Sequence, residues 1–121
     1  MEFKNYRFED LEVYKISLKI VHEAYRVTKF FPTEERFALI DQLKRASTSI
    51  VLNIAEGSGQ STKKAFALYI NRSKASTLEC VACTKIAIQE NFVQQKETAL
   101  FEDLLKEEYF KLIALEKSLR L

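Results

Sequence analysis

The chain has 121 residues, 47% of them apolar and 30% charged, with a net charge of +2. That balance is globular: it excludes a disordered polyelectrolyte, and the longest apolar runs are too short to cross a bilayer. A sequence pI near 8.5 falls short of the strongly basic balance of a dedicated nucleic-acid binder. One domain is expected at this length, marginal enough that self-association would help it. The opening Met-Glu-Phe-Lys-Asn-Tyr has no apolar core of an export signal, so a cytoplasmic location and no membrane partner are expected.

Strong breakers are few, namely Pro32, Gly57 and Gly59, and they separate long stretches rich in Leu, Ala, Glu, Lys and Gln without strand-like alternation. The pattern predicts an all-α chain of four amphipathic helices over about 9–29, 34–57, 62–91 and 98–119, and short links make an antiparallel up-down-up-down bundle the expected architecture. In the first helix Leu11, Tyr14, Leu18, Val21, Tyr25 and Thr28 recur at spacings of three and four and read as the core seam. A second apolar stripe, Val13, Ile16, Ile20, Ala24 and Val27, lies roughly opposite at 100° per residue. One core buries one such face, so the second stripe is expected either to lie under neighbouring helices or, the preferred reading, to pack on another copy of the chain.

Phe30-Phe31-Pro32 ends that helix, and Thr33 reads as the N-cap of the second, with Glu34 and Glu35 favoured by the helix dipole. The seam of the second helix is Ile40, Leu43, Ser47, Ile50, Ile54 and Gly57. Away from it, Gln42, Arg45, Ser49, Asn53 and Glu56 form a polar stripe. Two readings stay open: a solvated face, or a hydrogen-bonded network between helices or subunits that fixes register. Gly57 is placed where a left-handed residue often ends a helix, and Gly59 gives the reversal a second permissive point.

Ser61 or Thr62 caps the third helix, whose small residues Ala65, Ala67, Ser73, Ala75, Ser76, Ala82 and Ala87 permit close helix approach. Residues 61–91 hold five Lys or Arg against two Glu, the segment with the largest excess of positive charge. Lys63 and Lys64 occupy its first turn, where the dipole disfavours cations. They read either as a solvated pair or, with Lys44, Arg45, Arg72 and Lys74, as a contact for a nucleic-acid backbone or another anion. Cys80 and Cys83 admit a redox pair, a zinc site or plain core packing. Their mid-helix position and the single His22 favour packing. The fourth helix carries Phe101, Leu105, Leu112, Leu115 and Leu119.

Residues 31–57, FPTEERFALIDQLKRASTSIVLNIAEG, carry a specific pattern: Phe31-Pro32, Glu35, Phe37, Leu39, Gln42, Arg45-Ala46, Ser49-Ile50 and Asn53-Ile54-Ala55-Glu56-Gly57. It resembles the four-helix bundle proteins encoded in intervening sequences of bacterial 23S rRNA genes, over about Phe8 to the C-terminus. Val51 stands where relatives often have Pro, and Ala75-Ser76 where they often have Gly-Ser. The resemblance, which extends to accessory proteins of diversity-generating retroelements, implies a ring of subunits, a pentamer. It also implies a positive surface that engages nucleic acid or a reverse transcriptase, and no catalytic activity.

Neither a nucleophile-base set nor a close carboxylate pair stands out, and the inward Glu-x-x-His pairs of a bundle metal site are absent from the sequence. The expected role is therefore a non-enzymatic, homo-oligomeric binding protein without cofactor or metal, contacting RNA, DNA or a nucleic-acid enzyme through basic residues. The alternative is a structural or protein-interaction module with no nucleic-acid role.

Overall fold

The computed structural model describes residues 6–121; the first five residues, on which the reading of the N-terminus rests, lie outside them. A short 3-10 turn, Arg7–Asp10, leads into α1 (Glu12–Thr28), followed by α2 (Leu39–Ser58), α3 (Lys63–Gln89) and α4 (Gln95–Leu119), with no strand among the described residues. Each helix packs on its two neighbours in the order α1, α2, α3, α4 and back to α1, while α1 and α3, and α2 and α4, lie diagonally across the core without close backbone approach. Contacts fix the directions. Ser73 Oγ donates to the Ile50 carbonyl at 2.9 Å and Ser76 Oγ to Ser49 Oγ at 3.0 Å, so α2 and α3 run antiparallel. Glu12 pairs with Lys111, and Arg26 reaches the Glu97 carbonyl at 2.6 Å, so α1 and α4 do too. The bundle is all-α, as the breakers and the periodicity predict.

In α1 the two apolar faces exchange roles. Val13, Ile16, Ile20, Ala24 and Val27, assigned above to self-association, are buried in the core of the single chain, whereas Leu18 and Tyr25 of the expected seam are 47% and 45% exposed. The β-branched stripe carries no polar atom and loses nothing by full burial. The other face holds two tyrosines, whose hydroxyls favour a rim position with one end wet. Only Thr28 of the expected seam is buried outright.

The start of α2 also shifts. Thr33 opens a 3-10 turn, Thr33–Glu35, with no side-chain cap, and α2 begins at Leu39, whose N–H reaches Glu35 Oε1 at 3.4 Å. From there the expected seam holds: Leu43, Ser47, Ile50, Ile54 and Gly57 are buried, with Leu39 added to them. Thr62 caps α3 by accepting the Ala65 N–H at 3.1 Å. Asn91 closes the turn after α3 at φ 60°, and α4 starts at Gln95, three residues earlier than expected. At this end of the bundle the rings of Phe31 and Phe92 meet at 6.1 Å between centroids.

Gly57 serves a different purpose from a left-handed cap. The described glycines have no positive φ, and α2 continues through Ser58. A Cβ at Gly57 would stand 2.6 Å from Tyr69 Cβ and 2.9 Å from the Phe66 ring. The glycine is there because α3 lies against it. Gly59, by contrast, adopts φ −87°, and a Cβ there would meet only the Glu56 carbonyl, at 3.6 Å.

Two carboxylates lie inside the bundle, and the chain treats them differently. Glu23 is held by Arg26, whose Nε and Nη2 donate to it at 3.0 and 2.8 Å, and Arg26 in turn donates to α4 at Glu97. Its hydrogen bond to Glu23 raises the Arg26 pKa further. Glu108 occupies the gap between Leu105 and Leu112 in the α4 seam, 0% exposed, and neither carboxylate oxygen has a partner. The nearby Lys111 ammonium is taken by Glu12 and, at 3.8 Å, by Glu107. Burial, reinforced by Glu107 and Glu12 and opposed by Lys111, lifts the Glu108 pKa from 4.5 to about 9. Glu108 is therefore a neutral acid at pH 7.

Two predictions follow from these positions. Gly57→Ala should lower unfolding free energy by ~1–3 kcal/mol through overpacking, while Gly59→Ala should be neutral or stabilising by up to ~1 kcal/mol; urea unfolding followed by circular dichroism compares them. For Glu108 the folded chain holds its proton between pH 4.5 and about 9 and the unfolded chain does not. Stability should therefore fall as pH rises across that window. Glu108→Leu should flatten the decline and raise stability at pH 7 by ~1–4 kcal/mol, read from urea midpoints at pH 5, 7 and 9.

Candidate functional site

The polar stripe of α2 divides along its length. Ser49 and Asn53, half-buried on the flank next to α3, form a small network: Asn53 Nδ2 donates to the Ser49 carbonyl at 2.9 Å and to Ser49 Oγ at 3.0 Å, and Ser49 Oγ accepts from Ser76 of α3. Gln42, Arg45 and Glu56 at its ends are exposed, and Arg45 pairs with Asp41 at 2.9 Å. Both readings left open by the sequence are therefore realised, the inter-helix network in the middle and the solvated face at the ends.

The up-down topology brings the start of α1, the end of α2, the start of α3 and the end of α4 to one end of the bundle. There Lys63 and Lys64, both exposed, line a pocket of about 370 Å³ together with Arg120 and the last leucines, Leu119 and Leu121. The first turn of α3 contains no acidic residue to offset them. Beside this pocket the rings packed on Gly57 carry cations. Arg72 lies 4.7 Å over Tyr69, and Arg7 lies 5.7 Å over Phe66. A guanidinium held flat on an aromatic ring keeps its N–H edge free for phosphate oxygens. Tyr69, half-buried, adds an aromatic group to a cluster that looked purely cationic in the sequence.

The other candidate cations are already paired or lie elsewhere. Lys74 is committed to Glu116 at 3.0 Å in a largely covered pair. Burial acts to raise the Glu116 pKa, but hydrogen bonds from Lys74 and Arg120 outweigh it and bring the value down. Lys44 sits 4.6 Å over the Tyr25 ring on the α1–α2 flank. Arg45 precedes Gly57 by twelve residues, which places it ~18 Å up the α2 axis from the basic end. Of the six candidates, then, Lys63, Lys64 and Arg72 share one end, Lys74 borders it through the Glu116 carboxylate it shares with Arg120, and Lys44 and Arg45 do not join them.

Sequence reasoning missed Arg7 and Arg120. The signal for both was available in the four-helix topology, which returns the two ends of the chain to the place where α3 begins. Cys80 and Cys83 are buried, and burial pushes both thiols up, away from thiolate chemistry. Among the described residues no group of three or more His, Cys, Asp or Glu is arranged to hold a metal ion, and no helix is long and apolar enough to cross a membrane.

Comparison with known proteins bears on this arrangement at the level of family and fold. The chain is similar to a protein of unknown function of the S23 ribosomal protein family from Bacteroides thetaiotaomicron, known from a crystal structure. The two superpose with a TM-score of 0.79 at 22% identity, over 87% of this chain and 98% of that one. That likeness shows the fold. No curated protein of assigned function matches the chain. The model of the 23S rRNA-intervening sequence protein family matches residues 9–114, which takes in the polar stripe, the Gly57 contact and the basic start of α3. The chain belongs to the 23S rRNA-intervening sequence protein family.

Proposed function

We propose that the protein is a non-enzymatic, self-associating cytoplasmic binding protein that engages the phosphate backbone of RNA or DNA through the basic end of the bundle. The observation that carries this reading is the gathering of Lys63, Lys64 and Arg120 around one pocket, with Arg72 stacked on Tyr69 beside it. Phosphate contacts by such residues position a nucleic acid without reading its sequence. With a net charge of only +2 per chain, a single copy makes a weak field. Several copies with their basic ends aligned multiply it, so self-association and backbone binding support each other.

The surface for self-association lies away from the buried stripe of α1. Leu68, Leu78 and Ile86 on α3 are about half exposed, and Leu100 and Phe110 on α4 more so. The small residues of α3 that remain exposed, Ala75 and Ala82, keep the outer surface of that helix low between its apolar side chains. A module that joins proteins only, through these side chains, is the competing reading and predicts no response to salt.

The test is retention on immobilised structured RNA. Binding should be strong at low salt and fall steeply as salt rises, because released counterions drive it. Lys63→Glu with Lys64→Glu should weaken it at least ~10-fold, whereas Arg45→Gln, which removes a cation paired with Asp41 and remote from this end, should change it little. Retention that is absent, or indifferent to salt, would overturn the proposal.

A further inference from the structure

The link between α1 and α2, at the end of the bundle away from Lys63 and Lys64, gathers a second set of cations. Lys29, Arg36 and Lys44 line a pocket of about 380 Å³ over Phe31 and Ile40, with the exposed Thr33 at its edge. Among the described residues none of these three cations pairs with a carboxylate, and no acid lines the pocket. Two of the three acids in this stretch are engaged: Glu35 Oε1 accepts the Leu39 N–H at 3.4 Å, and Asp41 is held by Arg45. The third, Glu34, is exposed and stands outside the lining.

Aromatic rings stand among the cations. Arg36 lies 5.7 Å over the Phe37 ring, and Lys44 lies 4.6 Å over the Tyr25 ring. Phe37 is 87% exposed, more than any other aromatic side chain among the described residues, and Tyr25 and Phe30 are about half exposed. Backbone hydrogen bonds hold the turn that carries Phe37: Arg36 N–H donates to the Thr33 carbonyl at 3.0 Å and Ala38 N–H to the Glu35 carbonyl at 3.1 Å. A ring on such a mount is ordered in advance, so stacking on it costs little entropy.

Cations alone suit any anion. Exposed rings set among them narrow the chemistry to a polyanion that also offers flat π faces, which is a nucleic-acid strand with its bases unstacked. A duplex presents phosphates but keeps its base faces inside the stack, out of reach of Phe37. An acidic peptide presents charge without the faces. We propose that this pocket binds a single-stranded segment of RNA or DNA, one base stacked on Phe37 and the adjoining phosphates held by Lys29, Arg36 and Lys44. This goes beyond the backbone contact of the basic end, and ~27 Å along α2 from Leu39 to Gly57 keeps the two sites apart.

The test is fluorescence anisotropy of labelled oligouridylate and oligothymidylate, each of about ten nucleotides, a length one such site can cover. It is run on the chain carrying Lys63→Glu and Lys64→Glu, in which the basic end is disabled. Both strands should bind, and the tighter of them identifies the natural ligand as RNA or DNA. Adding Phe37→Ala, which removes no core contact, should weaken binding at least ~5-fold while the helical circular dichroism and thermal midpoint stay unchanged; Phe37→Trp should retain it. Lys29→Gln with Lys44→Gln should lower the slope of log affinity against log salt by ~1.4, the share of two phosphate contacts on a single strand. Absence of binding in this background overturns the proposal and leaves the basic-end contact standing. So does an affinity that Phe37→Ala leaves unchanged, equal binding of a duplex, or displacement by oligoglutamate as effective as by unlabelled strand. Retention of structured RNA that survives Lys63→Glu with Lys64→Glu but is lost with Phe37→Ala supports this site and overturns the basic end instead.

Discussion

The approach of α2 to α3 at Gly57 is the constraint on which the rest of the molecule depends. A hydrogen atom at that position lets Tyr69 and Phe66 lie against the α2 backbone, at distances that a methyl group would not allow. About two turns back along α2, Ser73 donates to the Ile50 carbonyl and Ser76 to Ser49, so the same pair of helices is tied by hydrogen bonds where it is no longer glycine-close. Small residues on α3 make both possible. The functional consequence is direct, because Phe66 and Tyr69 are the rings that carry Arg7 and Arg72. Moving α3 away from α2 would disperse the basic end.

The polar groups inside the bundle sort by what they do for this packing. Thr77, Thr84 and Ser47 satisfy their hydroxyls on carbonyls of their own helices, so they fill space as small residues without demanding a partner across the core. Glu23 and Arg26 tie α1 to α4 through a charge-assisted pair that ends on a backbone carbonyl. Glu108 has no such arrangement, and its carboxyl stays in the core by keeping its proton. Lys111, the obvious counter-ion, is directed to Glu12 on α1 instead, so the α1–α4 clasp forms at the expense of Glu108.

Much of this was legible in the sequence, for physical reasons that can be stated residue by residue. The helices were, because the apolar spacing is regular and breakers are scarce. The α2 seam was legible from Leu43 to Gly57, and so was the Thr62 cap, since a β-hydroxyl immediately before a helix has one common use. The α1 core was not: two apolar stripes of similar strength lie opposite each other, and the choice between them turns on tyrosine hydroxyls that need water, a property an apolar count ignores. Gly57 was legible as special but misread, because a glycine at a helix end and a glycine under a neighbouring ring look alike in one dimension. Of the basic residues, Lys63 and Lys64 stood out as the wrong charge at a helix start. Arg7 and Arg120 required knowing that the chain's two ends return to that place. Phe37 lies in the family-like stretch, but only the structure distinguishes a ring held in solvent from one in the core.

The direct test of the α2–α3 constraint is native-state hydrogen exchange, which ranks backbone amides by the free energy of the opening that exposes them. If the Gly57 contact and the two serine ties organise the bundle, the slowest amides lie in α2 around Ile50–Ile54 and in α3 around Ile70–Thr77. They should exchange only through global unfolding, while α1 and α4 open below that limit. Slowest exchange in α1 and α4, with α2 and α3 opening first, would contradict the account.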